Sequence, residues 1–241
     1  MSLQPLSRKN WNETDIVMEL AAPEQILNWA IETYASGLVM ATAFGPEGCI
    51  LLAMLAGLGE RGRTVRVFNL ETGYQFEETL AMKRTILEKY GIDVEWVRPG
   101  SEAAELEMRS GKPLYSVDPA ECCRLRKVEP LRRSLIGHTA WISSIRRDQT
   151  PDRSCVDIVD WDEKFNLVKI SPLANWSRKD VWGYIRENDV PYNPLHDQGY
   201  ASIGCYPCTI PIRIGESERS GRWAGTGRTE CGLHSQERTR E

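Results

Sequence analysis

Seven cysteines occupy three settings in the 241-residue chain: Cys49 and Cys155 stand alone in apolar stretches, Cys122-Cys123 and Cys205-Tyr-Pro-Cys208 form pairs, and Cys231 lies in a polar tail. An odd count argues against a closed disulfide framework and for metal ligands or reactive thiols in a reducing compartment. A Cys-x-x-Cys alone reads equally as half a zinc site, a redox pair or coincidence. The adjacent pair narrows the choice, because zinc ligands are typically about two to four residues apart and neighbouring thiolates chelate one zinc only in a cramped ring. A 4Fe-4S cubane has separate iron corners, each taking one thiolate, so Cys122, Cys123, Cys205 and Cys208 are the expected ligands of one cluster. A zinc site or a set of buried free thiols is the competing reading. Cys49 and Cys155 are expected in the core.

Charge accompanies both groups of thiols. On a helix Lys127 shares a face with Cys123 and so approaches the cluster, where an ammonium would neutralise it and could also contact an anionic substrate. Arg124, Arg126, Arg132 and Arg133 read mainly as a solvated basic face. Cys231 has Arg228 before it and His234 after it, the kind of surroundings that activate a thiol. Gly225, Gly227 and Gly232 give the segment freedom to swing into a cleft, and Arg213, Arg219 and Arg222 could close with it over an anion. Residues 1–214 are thus expected to form a nucleotide- and cluster-binding domain, and 215–241 a flexible catalytic tail.

The elements that must position these groups alternate. A helix is expected over 23–34, a buried strand over 38–44, a helix over 49–58, a strand over 64–70, a helix over 74–90 ended by Gly91, and a strand over 92–97. Ser101 caps a further helix, 121–135 is another, 139–145 is an apolar strand, 166–170 is strand-like, and Ser177 with Asp180 opens a helix over 178–188. Strand–helix alternation calls for an α/β fold with a doubly wound, mainly parallel sheet, which binds nucleotides at the carboxyl ends of its strands. Three such ends carry suitable chemistry: Ala43-Phe44-Gly45 before a helix N-terminus, Glu71-Thr72-Gly73, and Arg146-Arg147.

The formal charge of −4 gives the whole molecule no pull toward nucleic acid or an anionic membrane. The start lacks a signal-like apolar core and no apolar run is long enough to cross a bilayer, so a cytoplasmic protein is expected.

Together these segments resemble the assimilatory adenylyl-sulfate reductases, relatives of the phosphoadenylyl-sulfate reductases within the adenine nucleotide α-hydrolase-like fold. Ala43-Phe-Gly-Pro-Glu47 resembles the family's modified pyrophosphate loop, Leu70-Glu-Thr-Gly73 its L-D-T-G motif, and 141–149 its arginine segment; Glu230-Cys-Gly-Leu-His234 looks like its catalytic tail. The paired cysteines match the pattern of cluster-bearing members that use adenylyl-sulfate. Ala43 stands where the loop often has serine, and Glu71 where aspartate is usual. The resemblance implies that Cys231 is a nucleophile assisted by His234 and Lys127, and that Ala43, Phe44, Gly45, Glu71, Thr72, Gly73, Arg146, Arg147, Arg219 and Arg222 bind substrate. It also implies one 4Fe-4S cluster and reduced thioredoxin as a separate electron donor, with no membrane or nucleic-acid partner; the oligomeric state stays open. Alternatives are a phosphoadenylyl-sulfate reductase, an ATP-using pyrophosphate-loop sulfur-transferase, and a cluster-bearing redox sensor that binds nucleic acid.

Overall fold

The computed structural model describes residues 14, 17–223, 228 and 230–234; Gly225 and Gly227 lie outside the described residues. Its centre is a six-stranded sheet in the order β3-β2-β1-β4-β6-β5. The strands are β1 Leu38–Ala41, β2 Arg66–Leu70, β3 Glu95–Val97, β4 Ala140–Ile142, β5 Val159–Asp162 and β6 Leu167–Ile170. Neighbours run parallel throughout except β5 against β6. The chain therefore winds outward from β1 to β3 and then returns to the other side at β4, leaving a crevice where the winding reverses.

Helices cover both faces, which is why β1 and β4 are buried at nearly every position. On one face Leu38, Met40, Val67, Ile142 and Ile170 share a core with residues of α1 (Pro23–Tyr34), α2 (Pro46–Gly57) and α3 (Glu77–Tyr90). On the other, the alternate residues Val39, Phe68, Trp141 and Leu167 pack with Leu131, Leu135 and Phe165. Gly91 ends α3 with φ 68°, a left-handed cap that glycine adopts without strain. After α4 (Glu102–Ser110) the chain makes the short turn Leu114–Val117.

Three expectations need correction. Helix α2 begins at Pro46 rather than at 49, because extended Gly45 serves as the cap and proline suits the first helical position. The stretch 121–135 is not one regular helix: α5 (Pro119–Cys123) passes through a π turn (Arg124–Val128) into α6 (Glu129–Leu135). Pro130 has no N–H to offer the carbonyl four residues back, and the backbone adjusts with Glu129 N–H donating to the Arg124 carbonyl. Finally, β5 was not expected; its sequence Val-Asp-Trp-Asp is only half apolar, and it forms as the edge of a hairpin with β6. The helix α7 (Arg178–Glu187) starts as its sequence requires, with Ser177 Oγ accepting from Asp180 N at 3.2 Å and Asp180 Oδ2 accepting from Ser177 N at 2.8 Å.

Candidate active site

A cavity of about 210 Å³ opens at the carboxyl ends of β1, β2 and β4. The β1 end turns sharply: Phe44 takes φ 54°, its N–H is received by Thr42 Oγ1 at 3.1 Å, and its ring packs edge-on against Trp96. Gly48 permits this closeness, since a Cβ there would stand 2.6 Å from Thr42 Oγ1. Ala43 and Gly45 line the cavity at the N-terminus of α2, whereas Phe44 points into the core. Asn69 Nδ2 donates to the Thr42 carbonyl at 2.9 Å and Gln75 Nε2 to Asn69 Oδ1 at 2.9 Å, tying the first two strand ends together. At the third, Ser143 and Ser144 face the cavity, and Ser143 Oγ is buried without a partner among the described residues.

The Leu70-Glu-Thr-Gly73 turn divides its duties. Thr72 lines the cavity and sets its hydroxyl 3.3 Å from Cys205 Sγ. Glu71 braces the turn, receiving Gly73 N–H at 2.7 Å and Arg98 at 3.3 Å, and Gly73 adopts φ 80°. Neither Glu71 nor Gly73 lines the cavity.

Arg146 and Arg147 are placed differently from the expectation that both grip substrate. Arg146 is 1% exposed and its guanidinium is already engaged by Glu47, by Asp148 at 2.8 Å and by Glu218 at 3.0 Å. Arg147 turns away to Glu19 and to the Val156 carbonyl. Neither lines the cavity; Arg153, Arg219 and Arg222 do. Arg222 lies over the Trp223 ring at 4.4 Å, and Arg219 is pulled down to about 10 by burial and by the neighbouring Arg153 charge.

A second, smaller pocket lies beside the first and is lined by Cys122, Cys123, Cys205 and Cys208, with Tyr74, Arg126, Lys127 and Trp223. All four expected ligands are thus brought together, and Cys205 and Lys127 border both cavities. The π turn carries Arg126 and Lys127; Arg126 donates to the Thr72 carbonyl at 2.9 Å and pairs with Glu107 at 2.7 Å. Burial pushes the Cys122 thiol up to about 12, reinforced by Cys123. At Cys205 burial acts in the same sense, but Lys127 and the Thr72 hydroxyl outweigh it and hold that thiol below its usual value. An all-thiol donor set suits soft metals and iron–sulfur centres. Among the described residues no three His, Cys, Asp or Glu side chains converge on the position of a single ion. Cys49 is buried as expected; Cys155 is exposed, contrary to expectation, on the loop after the turn Pro151–Arg153.

The described part of the tail lies in the main cavity. Cys231, Leu233 and His234 line it, with Cys231 within electrostatic reach of Lys127, Arg219 and Cys123. Glu230 is clasped by Arg153 at 2.7 and 2.8 Å and by Arg219 at 3.2 Å. Lys164, on the β5–β6 turn, donates to the Gly232 carbonyl, and Leu233 packs against the Trp141 side of the sheet. His234 stacks on Trp141, centroids 5.8 Å apart and planes 4° from parallel. Burial, together with Lys169, Arg153, Arg219 and Lys164, holds its imidazole well below the usual value, so it is neutral. Arg153, Glu230, Lys164 and Trp141 carried no signal for these roles in the sequence; Trp141 and Glu230 fell inside motifs, Arg153 and Lys164 in none.

A family model described as the phosphoadenosine phosphosulfate reductase domain matches residues 37–211. A phosphoadenosine 5'-phosphosulfate reductase of Gloeobacter violaceus is 47% identical over 217 residues, 89% of each chain. Adenosine 5'-phosphosulfate reductase 2 of Bacillus subtilis is 41% identical over 97% of this chain and 99% of its own. Among solved structures, the phosphoadenylyl-sulfate reductase of Candida auris in a phosphate complex superposes with a TM-score of 0.73 at 28% identity, over 85% of this chain and 98% of that one. The FMN adenylyltransferase of Candida glabrata, at TM-score 0.58 and 13% identity over 91% of this chain and 75% of its own, shares the fold alone. The chain belongs to the phosphoadenosine phosphosulfate reductase family, built on an adenine nucleotide α-hydrolase-like sheet.

Proposed function

We propose that this protein reduces adenylyl-sulfate to sulfite and AMP in sulfate assimilation, in the cytoplasm, with reduced thioredoxin as donor. The observation that carries the reading is the seat of Cys231 beside Lys127, Arg219 and Arg222 in the cavity at the strand ends. The Cys231 thiolate attacks the sulfate sulfur; the bond from sulfur to the bridging oxygen breaks, AMP departs, and an S-sulfocysteine remains. A thioredoxin thiolate then attacks Cys231 Sγ and expels sulfite. The resulting mixed disulfide is resolved by the donor's second thiol, which returns Cys231 as a thiolate and supplies two electrons in all.

Arg219, Arg222 and Lys127 are the groups to hold the phosphosulfate charge. Arg146 would act from behind, fixing Glu47 at the head of α2 and Glu218 in the tail. His234, neutral and acceptor-capable, would assist through hydrogen bonding rather than charge. Cys122, Cys123, Cys205 and Cys208 would hold a 4Fe-4S cluster, whose separate irons do not demand the convergence of a single-ion site. When bound, it supplies a fixed anionic centre facing Lys127.

Relatives bearing both substrate names match this chain, so the 3'-phosphorylated nucleotide is the alternative substrate. Sulfite release from each nucleotide with reduced thioredoxin, on anaerobically purified wild type and Cys231→Ser, separates them. Release from the unphosphorylated form that is lost in the variant supports the proposal; release mainly from the phosphorylated form replaces the substrate, and cysteine-independent release rejects the mechanism.

A further inference from the structure

We propose that Glu230 is the positioning residue of the tail: its carboxylate, gripped by Arg153 and Arg219, is a releasable latch that seats Cys231 for attack and opens for the electron donor. The inference rests on the reading of Cys231 as nucleophile given above.

Two features set this contact apart from the others that hold the tail. It is two-pronged, with Arg153 Nε on one carboxylate oxygen at 2.7 Å and Nη2 on the other at 2.8 Å, while Arg219 adds a third bond at 3.2 Å. It is nearly dry, the side chains of Arg153, Glu230 and Arg219 being 7%, 9% and 13% exposed. Like the Gly232 carbonyl held by Lys164, it adjoins the nucleophile in sequence, so its release frees Cys231 on the amino-terminal side. A pair this buried behaves as a two-position element: leaving two guanidinium groups uncompensated is strongly unfavourable, so opening requires water or another anion in place of Glu230.

The same geometry makes the latch answer to substrate. Arg219 and Arg153 line the cavity together with Arg222, Lys127 and Cys231, so a phosphosulfate placed there competes for the guanidinium that also binds Glu230. Arg153 stays anchored on the far side by Gln149, and it sits in the turn Pro151–Arg153, where it can hold the tail while Arg219 is shared. Seating and substrate capture therefore draw on one set of cations, and while the anion holds Arg219 the tail carboxylate rests chiefly on Arg153.

The test uses Glu230→Gln, which keeps the shape and removes the charge, with Glu230→Asp as the charge-retaining partner. Without nucleotide, Cys231 alkylation by iodoacetamide is measured on an otherwise intact chain and located by peptide mass. Glu230→Gln is expected to react about tenfold faster than wild type, the loss of a charged hydrogen-bonded contact, and Glu230→Asp to recover part of the difference. In the two half-reactions, single-turnover formation of the S-sulfo adduct is expected to fall about tenfold in Glu230→Gln, while thioredoxin attack on the isolated adduct is not slowed. Unchanged alkylation, or equal slowing of both half-reactions, overturns the latch. Failure of the functional reading is distinguishable: then no adduct forms on Cys231 in wild type, while the alkylation comparison still decides the latch.

Discussion

Replacing Arg146 by methionine tests whether this side chain is a substrate ligand or a strut. The guanidinium is 1% exposed and faces the carboxylates of Glu47, Asp148 and Glu218. Asp148 keeps a second donor, the Arg178 N–H at 2.9 Å, and Glu47 keeps Gln149 at 3.3 Å; neither replaces a full positive charge. Breaking a buried pair by removing one partner costs about 3–5 kcal/mol. For a chain of this size about 1 kcal/mol moves the melting temperature by about 2–4 °C, so Arg146→Met is expected to melt about 6–20 °C lower. Circular dichroism melts at pH 7 measure this beside Arg147→Met, whose pairing with Glu19 is about 30% exposed and contributes about 1 kcal/mol or less. An Arg146→Met protein that melts within about 2 °C of wild type and loses only substrate affinity would refute the reasoning. It would mean that Arg146 leaves its carboxylates to meet the nucleotide.

Burial holds His196 down to about 4, whereas an unfolded histidine titrates near 6.5. The unfolded chain therefore binds the extra proton between those values, and the stability contribution, intact above about pH 6.5, is lost as pH falls toward 4, by at most about 3 kcal/mol. Urea midpoints of His196→Gln should fall less on acidification than those of wild type; parallel curves would remove His196 as the cause. Leu233→Ala removes half-buried apolar surface from the docked tail, about 1 kcal/mol, so single-turnover adduct formation should slow about fivefold with the melting temperature unchanged. A drop in melting temperature without a change in that rate would assign Leu233 to the fold instead. A Cβ on Gly204 would lie 2.2 Å from Arg222 Nη2 and 2.4 Å from its Cζ, so Gly204→Ala displaces that guanidinium. KM for the nucleotide should rise about tenfold, the magnitude of one charged hydrogen bond; an unchanged KM would show that Arg222 does not touch substrate.

The sheet was legible because its strands are short apolar runs between glycine punctuation, and the order of strands and helices admits few windings. The four paired cysteines were legible from spacing alone, and one pocket receives them all. What the sequence hid depends on side-chain direction. Arg146 and Arg147 are adjacent and chemically identical, yet one faces inward to three carboxylates and the other outward to Glu19. Arg153 lies in an irregular turn, where no periodicity tells which way a side chain points, and its partner Glu230 is 77 residues away. The π turn was hidden for a different reason: Pro130 falls inside the stretch 121–135 that reads as one helix, and only the backbone shows the hydrogen-bond shift that accommodates it.

The stacked pair at the end of the tail makes the molecule its own spectrometer. Trp141 is fixed in β4 and 1% exposed, so it does not follow any excursion of His234. An imidazole stacked parallel to an indole at this distance feels the ring current of the larger system, so the shifts of its carbon-bound protons change when the stack opens. The chain has three histidines, so its imidazole region holds three spin systems, one of which belongs to the tail. Chemical-shift changes of that one resonance through a turnover would time each departure and return of the segment carrying Cys231, without a label and without altering a residue.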